Sequence, residues 1–408
     1  VNNISKPIIL KSGWNWVSFP LMDNKMNSFH NFFEELNLRD GDMVKTIGNN
    51  ANAQYGGTAI GWSGNLVNQG LKNEISYLIK MSVRDTLNYK GLAIDPDTVQ
   101  IDVVNGWNRI GFVSLRNMQV STALANFNAQ DGDIIKSQER FSYFDSNLGW
   151  IGSLQTLEPT KGYLLKSTAN TSFVYPRQGL LRQRTELPAQ MELEDMLTER
   201  YSLNPYNYEA GVSAIVKVEV CEEVVQNENV ILTAFLGEEL RGWSESATKV
   251  NDVLGYQYFL TAYGEGNDQF EYTLIDTVTN KKIALLGNLV FEKNGLQGTP
   301  NKPIVVHPTT KVDCDEFKVE VSPIEAMNLV YPNPFRNTLN ITVPTDLGEA
   351  IEVSLIDSYG RVLHQEKSAQ GSLLNWSQIA GSKEVAQGVY YIRFSSDAGQ
   401  KVEKVVKY

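Results

Sequence analysis

The chain contains 408 residues, more than one small hydrophobic core organises, and this length predicts roughly two to four domains. Its 36 Lys and Arg residues and 47 Asp and Glu residues give a formal net charge of −11 without a long run of either sign, which argues against nucleic acid and anionic membranes as partners. No apolar stretch approaches the roughly 18 residues of a membrane span, and the first residues lack the regions of a signal peptide. We therefore expect a mature protein or a fragment of a longer one.

The first 178 residues contain an internal duplication. Four motifs return in the same order: "GWNWVSFPL" (13–21) as "GWNRIGFVSL" (106–115), "LRDGDMVKT" (38–46) as "AQDGDIIKS" (129–137), "IGWSGNLV" (60–67) as "LGWIGSLQ" (148–155), and "SYLIKMS" (76–82) as "GYLLKST" (162–168). The offset falls from 93 to 86 residues along the repeat, as expected when loops shorten while secondary-structure elements persist. These matches predict two homologous modules, 1–92 and 93–178.

Each module is predicted to be mostly β with one short helix. Alternating residues such as Trp14 and Trp16 indicate a strand, and "NSFHNFFEEL" (27–36) and "VSTALANF" (120–127) have the spacing of short amphipathic helices. The Asp-Gly of each "DGD" predicts a tight turn into the next strand, because glycine accepts positive φ.

Two linkers and a further β domain are predicted after the modules. The polar stretch 179–200 has the composition of a linker. Residues 201–305 contain closely spaced β-branched and aromatic runs such as "AIVKVEV" and "YQYFLTAYG", which predict a β-sandwich. The exit segment "LQGTPNKPIVVHPTTKVDCDEF" (296–317) contains three prolines and predicts a second linker over 306–325.

The two cysteines exclude a disulfide-rich scaffold and a Cys-based zinc cluster. Cys221 ends a strand-like run whose alternation places it on the polar face, and Cys314 lies between Asp313 and Asp315. A Cys221–Cys314 bridge in an oxidising compartment and two unpaired thiols both remain open, because sequence alone does not fix connectivity.

Residues 326–408 are predicted to form a small antiparallel sandwich. Strand-like runs are separated by the turn sequences "SYGR" and "DAGQ". The entry "YPNPF" (331–335) contains two prolines, which fix φ and lack an N–H, so this segment is stiff, extended and unable to pair fully as a central strand.

Four motifs of this last domain, in their order, resemble a known family. "YPNPF" (331–335), "VSLIDSYGRVL" (353–363), "GVYYIRF" (388–394) and the closing "KVVKY" (404–408) are similar to the type A C-terminal sorting domain of type IX secretion substrates of the Bacteroidota. The residues that carry the resemblance are Tyr331, Pro332, Asn333, Pro334, Phe335, Asp357, Gly360, Arg361, Gly388, Tyr390, Lys404, Val405, Val406 and Lys407. The domain over 201–305 also resembles a β-sandwich found beside sorting domains in large surface proteins of these bacteria.

The resemblance implies an Ig-like domain that serves as an export address. Family members cross the inner membrane by a separate N-terminal signal, pass an outer-membrane translocon and bind a β-barrel shuttle protein. A surface sortase usually removes the domain, which here implies cleavage within 306–325, and attaches the cargo to a lipopolysaccharide anchor or releases it. The implied location is the cell surface or the medium, by way of the periplasm. Three Asp-Thr-aliphatic triplets, at Thr86, Thr98 and Thr277, resemble O-glycosylation sites of the same bacteria.

No cluster of residues predicts catalysis, and we expect a protein that is not an enzyme. The three histidines are far apart in the sequence, at His30, His307 and His364. HExxH, GxSxG and P-loop motifs are absent from the sequence. Glu238 and Glu239 are a candidate carboxylate pair, but strand neighbours point to opposite faces, and solvated charges paired with Arg241 are the simpler interpretation.

The "DGD" turns are candidates for binding calcium. Asp40, Asp42, Asp131 and Asp133 supply oxygen ligands at equivalent places in the two modules. Local backbone hydrogen bonds by these aspartates are the simpler interpretation, and no other metal or cofactor is predicted.

The tryptophans are candidates for stacking on sugar rings. Trp14 and Trp107, and Trp62 and Trp150, are equivalent pairs, which predicts that they pack in the core. Trp16 is replaced by Arg109 in the second module. We therefore expect Trp16 to be a surface aromatic and the contact for a glycan or other surface ligand.

The leading prediction is an adhesin or binding protein of the cell surface, exported by its C-terminal domain. Two alternatives remain open. One is the C-terminal accessory region of a secreted protease or glycosidase whose catalytic domain precedes residue 1, and the other is a pair of carbohydrate-binding modules.

Overall fold

A computed structural model describes residues 3–46, 51–177, 197, 201–220, 223–225, 229–310, 330–331, 338–344, 347, 350–357, 361–370, 372–377, 388–396 and 399–407. The protein is mainly β, which confirms the predicted fold class. It divides into two compact units, Val1–Phe317 and Lys318–Tyr408. No helix in the described ranges has the length and apolar character needed to cross a membrane.

The first module is built around a five-stranded antiparallel sheet. Its strands are β1 (Ile4–Ser5), β2 (Ile8–Leu10), β3 (Gly13–Val17), β4 (Leu21–Met22), β5 (Met43–Lys45), β6 (Asn52–Tyr55), β7 (Trp62–Ser63), β8 (Tyr77–Met81), β9 (Asp85–Leu87) and β10 (Lys90–Ala93). The main sheet has the order β3–β8–β5–β6–β7. Two short helices, α1 (Phe29–Phe32) and α2 (Asn65–Gln69), accompany it. Helix α1 is shorter than the predicted 27–36, and a separate 3₁₀ turn at Asn24–Asn27 precedes it.

The second module repeats this arrangement. Its strands are β11 (Ile101–Val103), β12 (Gly106–Ile110), β13 (Met118–Gln119), β14 (Ile134–Lys136), β15 (Phe141–Asp145), β16 (Gly149–Gly152), β17 (Thr156–Leu157), β18 (Tyr163–Ser167) and β19 (Thr171–Phe173), with one helix, α3 (Val120–Ala123). The main sheet, β12–β18–β14–β15–β16, has the strand order of the first module, and the duplicated motifs occupy corresponding strands.

The two modules contact each other through corresponding backbone segments. Gly162 N donates to Trp16 O at 2.9 Å, and the corresponding Ser76 N donates to Arg109 O at 3.4 Å. A second pair of matching bonds joins Ser18 N to Thr160 O at 2.9 Å and Gly111 N to Glu74 O at 3.0 Å. Because each contact occurs twice with the modules exchanged, the modules are related by a local pseudo-two-fold axis.

The third part of the first unit is one curled sheet. Its strands are β20 (Gly211–Val220), β21 (Glu223–Val224), β22 (Val230–Leu236), β23 (Glu239–Ser246), β24 (Thr248–Asn251), β25 (Gly255–Tyr263), β26 (Gln269–Asp276), β27 (Lys282–Val290), β28 (Leu296–Gln297) and β29 (Ile304–Val306). The order along the sheet is β21–β20–β25–β23–β22–β26–β27, and β28 and β29 run parallel to β20. The residue that follows β29, His307, lies beside β27, and its carbonyl oxygen accepts a hydrogen bond from Leu286 N at 2.7 Å.

The strands predicted at 201–305 are present, and they form one continuous hydrogen-bonded sheet around a shared core, an arrangement that the prediction of a β-sandwich did not specify. The sequence pattern did not separate the two arrangements, because alternation of apolar and polar residues is the same in stacked sheets and in a sheet that curls on itself.

The second unit contains two antiparallel sheets that share one core. Its strands are β30 (Val330–Tyr331), β31 (Thr338–Thr342), β32 (Ala350–Asp357), β33 (Val362–Ala369), β34 (Leu373–Ser377), β35 (Gly388–Ser396) and β36 (Gly399–Lys407). One sheet has the order β30–β31–β34 and the other β33–β32–β35–β36. Leu339 and Ile341 of the first sheet bury against Val353, Leu355 and Ile392 of the second.

Candidate functional site

The larger sheet of the second unit brings three sequence motifs to one end. Asp357, the last residue of β32, pairs with Tyr390 of β35, and Tyr390 pairs in turn with Val405 of β36. Gly388 pairs with Lys407. Neighbouring antiparallel strands run in opposite directions, so the end of β32, the start of β35 and the end of β36 coincide. We call this region, formed by Asp357, Arg361, Gly388, Tyr390 and Lys404–Lys407, the motif end.

The carboxylate of Asp357, at the end of β32, binds Arg361. Its Oδ1 accepts a hydrogen bond from Arg361 N at 2.9 Å, and its Oδ2 accepts one from Arg361 Nε at 2.7 Å. Asp357 N also donates to Arg361 O at 3.0 Å. The Arg361 side chain is 73% exposed, so the ion pair contributes little to stability and the guanidinium lies at the surface of the motif end.

Tyr390 and Val405 form the buried side of the motif end. Both belong to the core of the second unit, together with Phe394. Burial raises the pKa of the Tyr390 hydroxyl, and the neighbouring Asp357 charge raises it further. These motif residues therefore support the fold beneath the surface.

The surface of the motif end consists of the remaining residues. Lys404 is exposed, and Gly388, Val406 and Lys407 are partly exposed. A Cβ atom placed on Gly388 would lie 3.8 Å from the Tyr390 ring, an ordinary contact, so packing within this unit does not require glycine there. Among the described strands, β36 pairs with β35.

The structure buries Trp16, and the prediction that it is a surface aromatic is wrong. Trp16 is 5% exposed, and the guanidinium carbon of Arg109 lies 4.3 Å from the centroid of its ring. The pseudo-two-fold axis brings the two corresponding positions together, so the residue that differs between the modules packs on its own counterpart. Trp14 and Trp62 are buried, as predicted, while Trp107 and Trp150 are partly buried.

The second aspartate of each "DGD" turn binds backbone. Asp42 Oδ1 accepts from Ser82 N at 2.7 Å, and Asp133 Oδ1 accepts from Thr168 N at 2.8 Å, the corresponding bond of the second module. Both aspartates are fully buried. Within the described ranges, no group of His, Cys, Asp and Glu side chains is arranged to hold a metal ion.

The other sequence candidates lie far from the motif end in the chain. Thr98 is exposed, whereas Thr86 and Thr277 are partly buried, and Thr277 Oγ1 donates to Asn229 O at 3.0 Å.

Glu239 lies 3.0 Å from Arg241 Nε, which confirms the predicted ion pair. The candidates outside the described residues are Cys221, Cys314, Pro332, Asn333, Pro334, Phe335 and Gly360.

Comparison with known families identifies the second unit. The family model described as "Secretion system C-terminal sorting domain" matches residues 329–408, about a fifth of the chain, and begins three residues after the predicted boundary at 326. Residues 329–408 are a type IX secretion C-terminal sorting domain. The sorting domain makes this protein a cargo of the type IX system, exported to the cell surface or secreted, and it interacts with the type IX secretion machinery.

Comparisons with whole proteins add no functional argument. No curated protein matches the chain. Dimeric latent PorU from Porphyromonas gingivalis is similar over 84% of this chain and 36% of its own, with 12% identity and a TM-score of 0.18, so this chain spans about a third of that structure. The Bacillus anthracis TIE protein is similar over 99% of this chain and 72% of its own, with 7% identity and a TM-score of 0.14.

Proposed function

We propose that the outer-membrane translocon and the β-barrel shuttle protein recognise the sorting domain at its motif end. The observation that carries the proposal is the convergence of three motifs, distant in sequence, at one end of one sheet. Buried Tyr390 and Val405 hold the strands, while Arg361 and Lys404 present positive charge at the surface.

Replacing both Lys404 and Lys407 by Ala is expected to lower the secreted fraction about tenfold, equivalent to about 1.4 kcal/mol of binding free energy. The reason is the loss of positive charge from the proposed recognition surface, while the fold should keep its stability within about 0.5 kcal/mol because both changes lie at the surface. The measurement is the ratio of secreted to periplasmic protein, with thermal unfolding of the purified variant.

Lys401→Ala is the matched control, because Lys401 lies on the same strand, β36, outside the motif end. Its secretion is expected to equal that of the unaltered protein. Equal secretion of the Lys404 and Lys407 double variant would refute recognition through these side chains. An equal loss of secretion in the Lys401 variant would show that the machinery recognises charge along the whole of β36 rather than the motif end.

We further propose that a surface sortase removes the sorting domain by cleavage within 306–325, and that the cargo is then attached to a lipopolysaccharide anchor or released. Support comes from the two compact units, whose boundary at Phe317 falls inside this segment. Mass spectrometry of secreted material is expected to show a new C-terminus in this region. Secreted protein that still ends at Tyr408 would contradict the proposal.

For the first unit we propose a binding or adhesive role at the cell surface without catalysis. Its three parts are joined by partly buried ion pairs, Lys45 with Glu209 at 3.1 Å and Arg140 with Glu245 at 2.8 Å. A ligand would therefore meet one preassembled surface rather than three separate modules. Glycan arrays and cell-adhesion assays with the full chain test this role, and turnover of a peptide or glycan substrate would argue instead for a hydrolase.

A further inference from the structure

A guanidinium group is buried between the two modules. Arg109 is 5% exposed, and no atom of the described residues accepts a hydrogen bond from its Nε or Nη1. Burial lowers the pKa of Arg109 to about 9, and the charge of Glu209 opposes this effect. A buried cation without hydrogen-bond acceptors is unfavourable, so the surroundings of this group need explanation.

The residue stacked on Arg109 adds a third donor. The indole Nε1 of Trp16 is also buried, and it has no acceptor within the part of the chain that the structure describes. The guanidinium carbon of Arg109 lies over the indole ring of Trp16, 4.3 Å from the ring centroid. These two side chains in contact thus carry three buried N–H groups for which the described residues supply no acceptor, and N–H groups of this kind are donors to anions.

Neighbouring charges make this junction electropositive. Arg109 and Lys136 both pair with Leu164 across the sheet, so their side chains share one face about 10 Å apart, two strand spacings. Lys136 Nζ donates to Gly211 O at 3.2 Å. The carboxylate that acts on Arg109, Glu209, is already bound to Lys45 at 3.1 Å and Lys293 at 2.7 Å.

We propose that Arg109 and Trp16 bind a small inorganic anion of the halide class, such as chloride, between the modules. The ion would accept hydrogen bonds from Arg109 and from Trp16 Nε1 and would offset the buried positive charge. A halide suits the site because Leu78, Leu164 and the ring of Trp14, which pack with Trp16, offer mostly apolar surface, and a compact ion needs few hydrogen-bond donors there. The bound ion would lock the two modules in their pseudo-symmetric contact.

Crystals of the full chain grown with sodium bromide test the position of the ion. The expected result is an anomalous difference peak within hydrogen-bonding distance of Arg109 and Trp16 Nε1. Water at this position, with bromide found only at the surface, would overturn the proposal.

Thermal unfolding tests binding in solution. The melting temperature is expected to be about 3 °C higher in bromide or chloride than in gluconate of equal ionic strength, when the halide exceeds its Kd about tenfold. Arg109→Gln should abolish the difference in melting temperature. Trp16→Phe, which keeps the aromatic ring and removes Nε1, should reduce this difference, and it serves as the test if the glutamine variant does not fold. Arg84→Gln, at an exposed arginine of the first module, should retain it. Equal melting temperatures of the unaltered protein in all three anions would overturn the proposal.

Discussion

Removal of residues 326–408 is expected to leave the protein in the periplasm. The sorting domain is a separate compact unit whose core is its own, so its removal should not disturb the hydrophobic cores of the first unit. The truncated protein would then lack the surface that the type IX machinery recognises, while its transport across the inner membrane would be unaffected. Fractionation of a strain that carries the type IX system, with immunoblots of medium, surface and periplasm, measures the outcome.

A transfer experiment is the control for this deletion. Residues 306–408 fused to a periplasmic reporter are expected to carry the reporter to the surface or into the medium, and the same fusion with the Lys404 and Lys407 double alanine change should export less. Normal secretion of the truncated protein would show that the export signal lies elsewhere in the chain.

Replacement of Lys136 by Met is expected to stabilise the protein at neutral pH by several kcal/mol. Burial lowers the pKa of Lys136 to about 7 from its ordinary value of 10.5. The unfolded chain therefore binds more protons than the folded chain between these values, and the free energy of unfolding rises as the pH increases through this window. Since one pKa unit corresponds to about 1.4 kcal/mol, the rise is on the order of 3–5 kcal/mol. Methionine carries no charge, so the variant should lack this rise.

Urea denaturation at pH 6.5, 8 and 9.5 in gluconate buffer measures the effect and keeps it separate from halide binding. Lys45→Met is the matched control, because Lys45 occupies the corresponding position of the first module but pairs with Glu209. This control is expected to lose about 1 kcal/mol of stability. A Lys136→Met variant that is less stable than the unaltered protein at pH 6.5, or that keeps the full pH dependence, would contradict the expectation.

Much of the architecture was predictable because it depends on short-range patterns. Repeated motifs of the modules lie on corresponding strands, and alternating apolar residues predicted strands where the structure has them. The sorting domain was predicted from four ordered motifs, and the family comparison confirmed it. Helices were less predictable, because α1 and α3 each have four residues and depend on the packing of their aromatic and aliphatic side chains.

The sequence by itself determined the β class, the duplication and the sorting domain, since each depends on the order and spacing of residues. Only the tertiary structure decided that Trp16 is buried, that the strands after residue 210 form one curled sheet, and that Asp357, Tyr390 and Lys404 meet at one end of another. Alternation along a strand states which side chains share a face of the sheet, but it does not state what covers that face. In this protein the second module covers the face that carries Trp16, and that contact depends on the pseudo-two-fold packing of two folded modules.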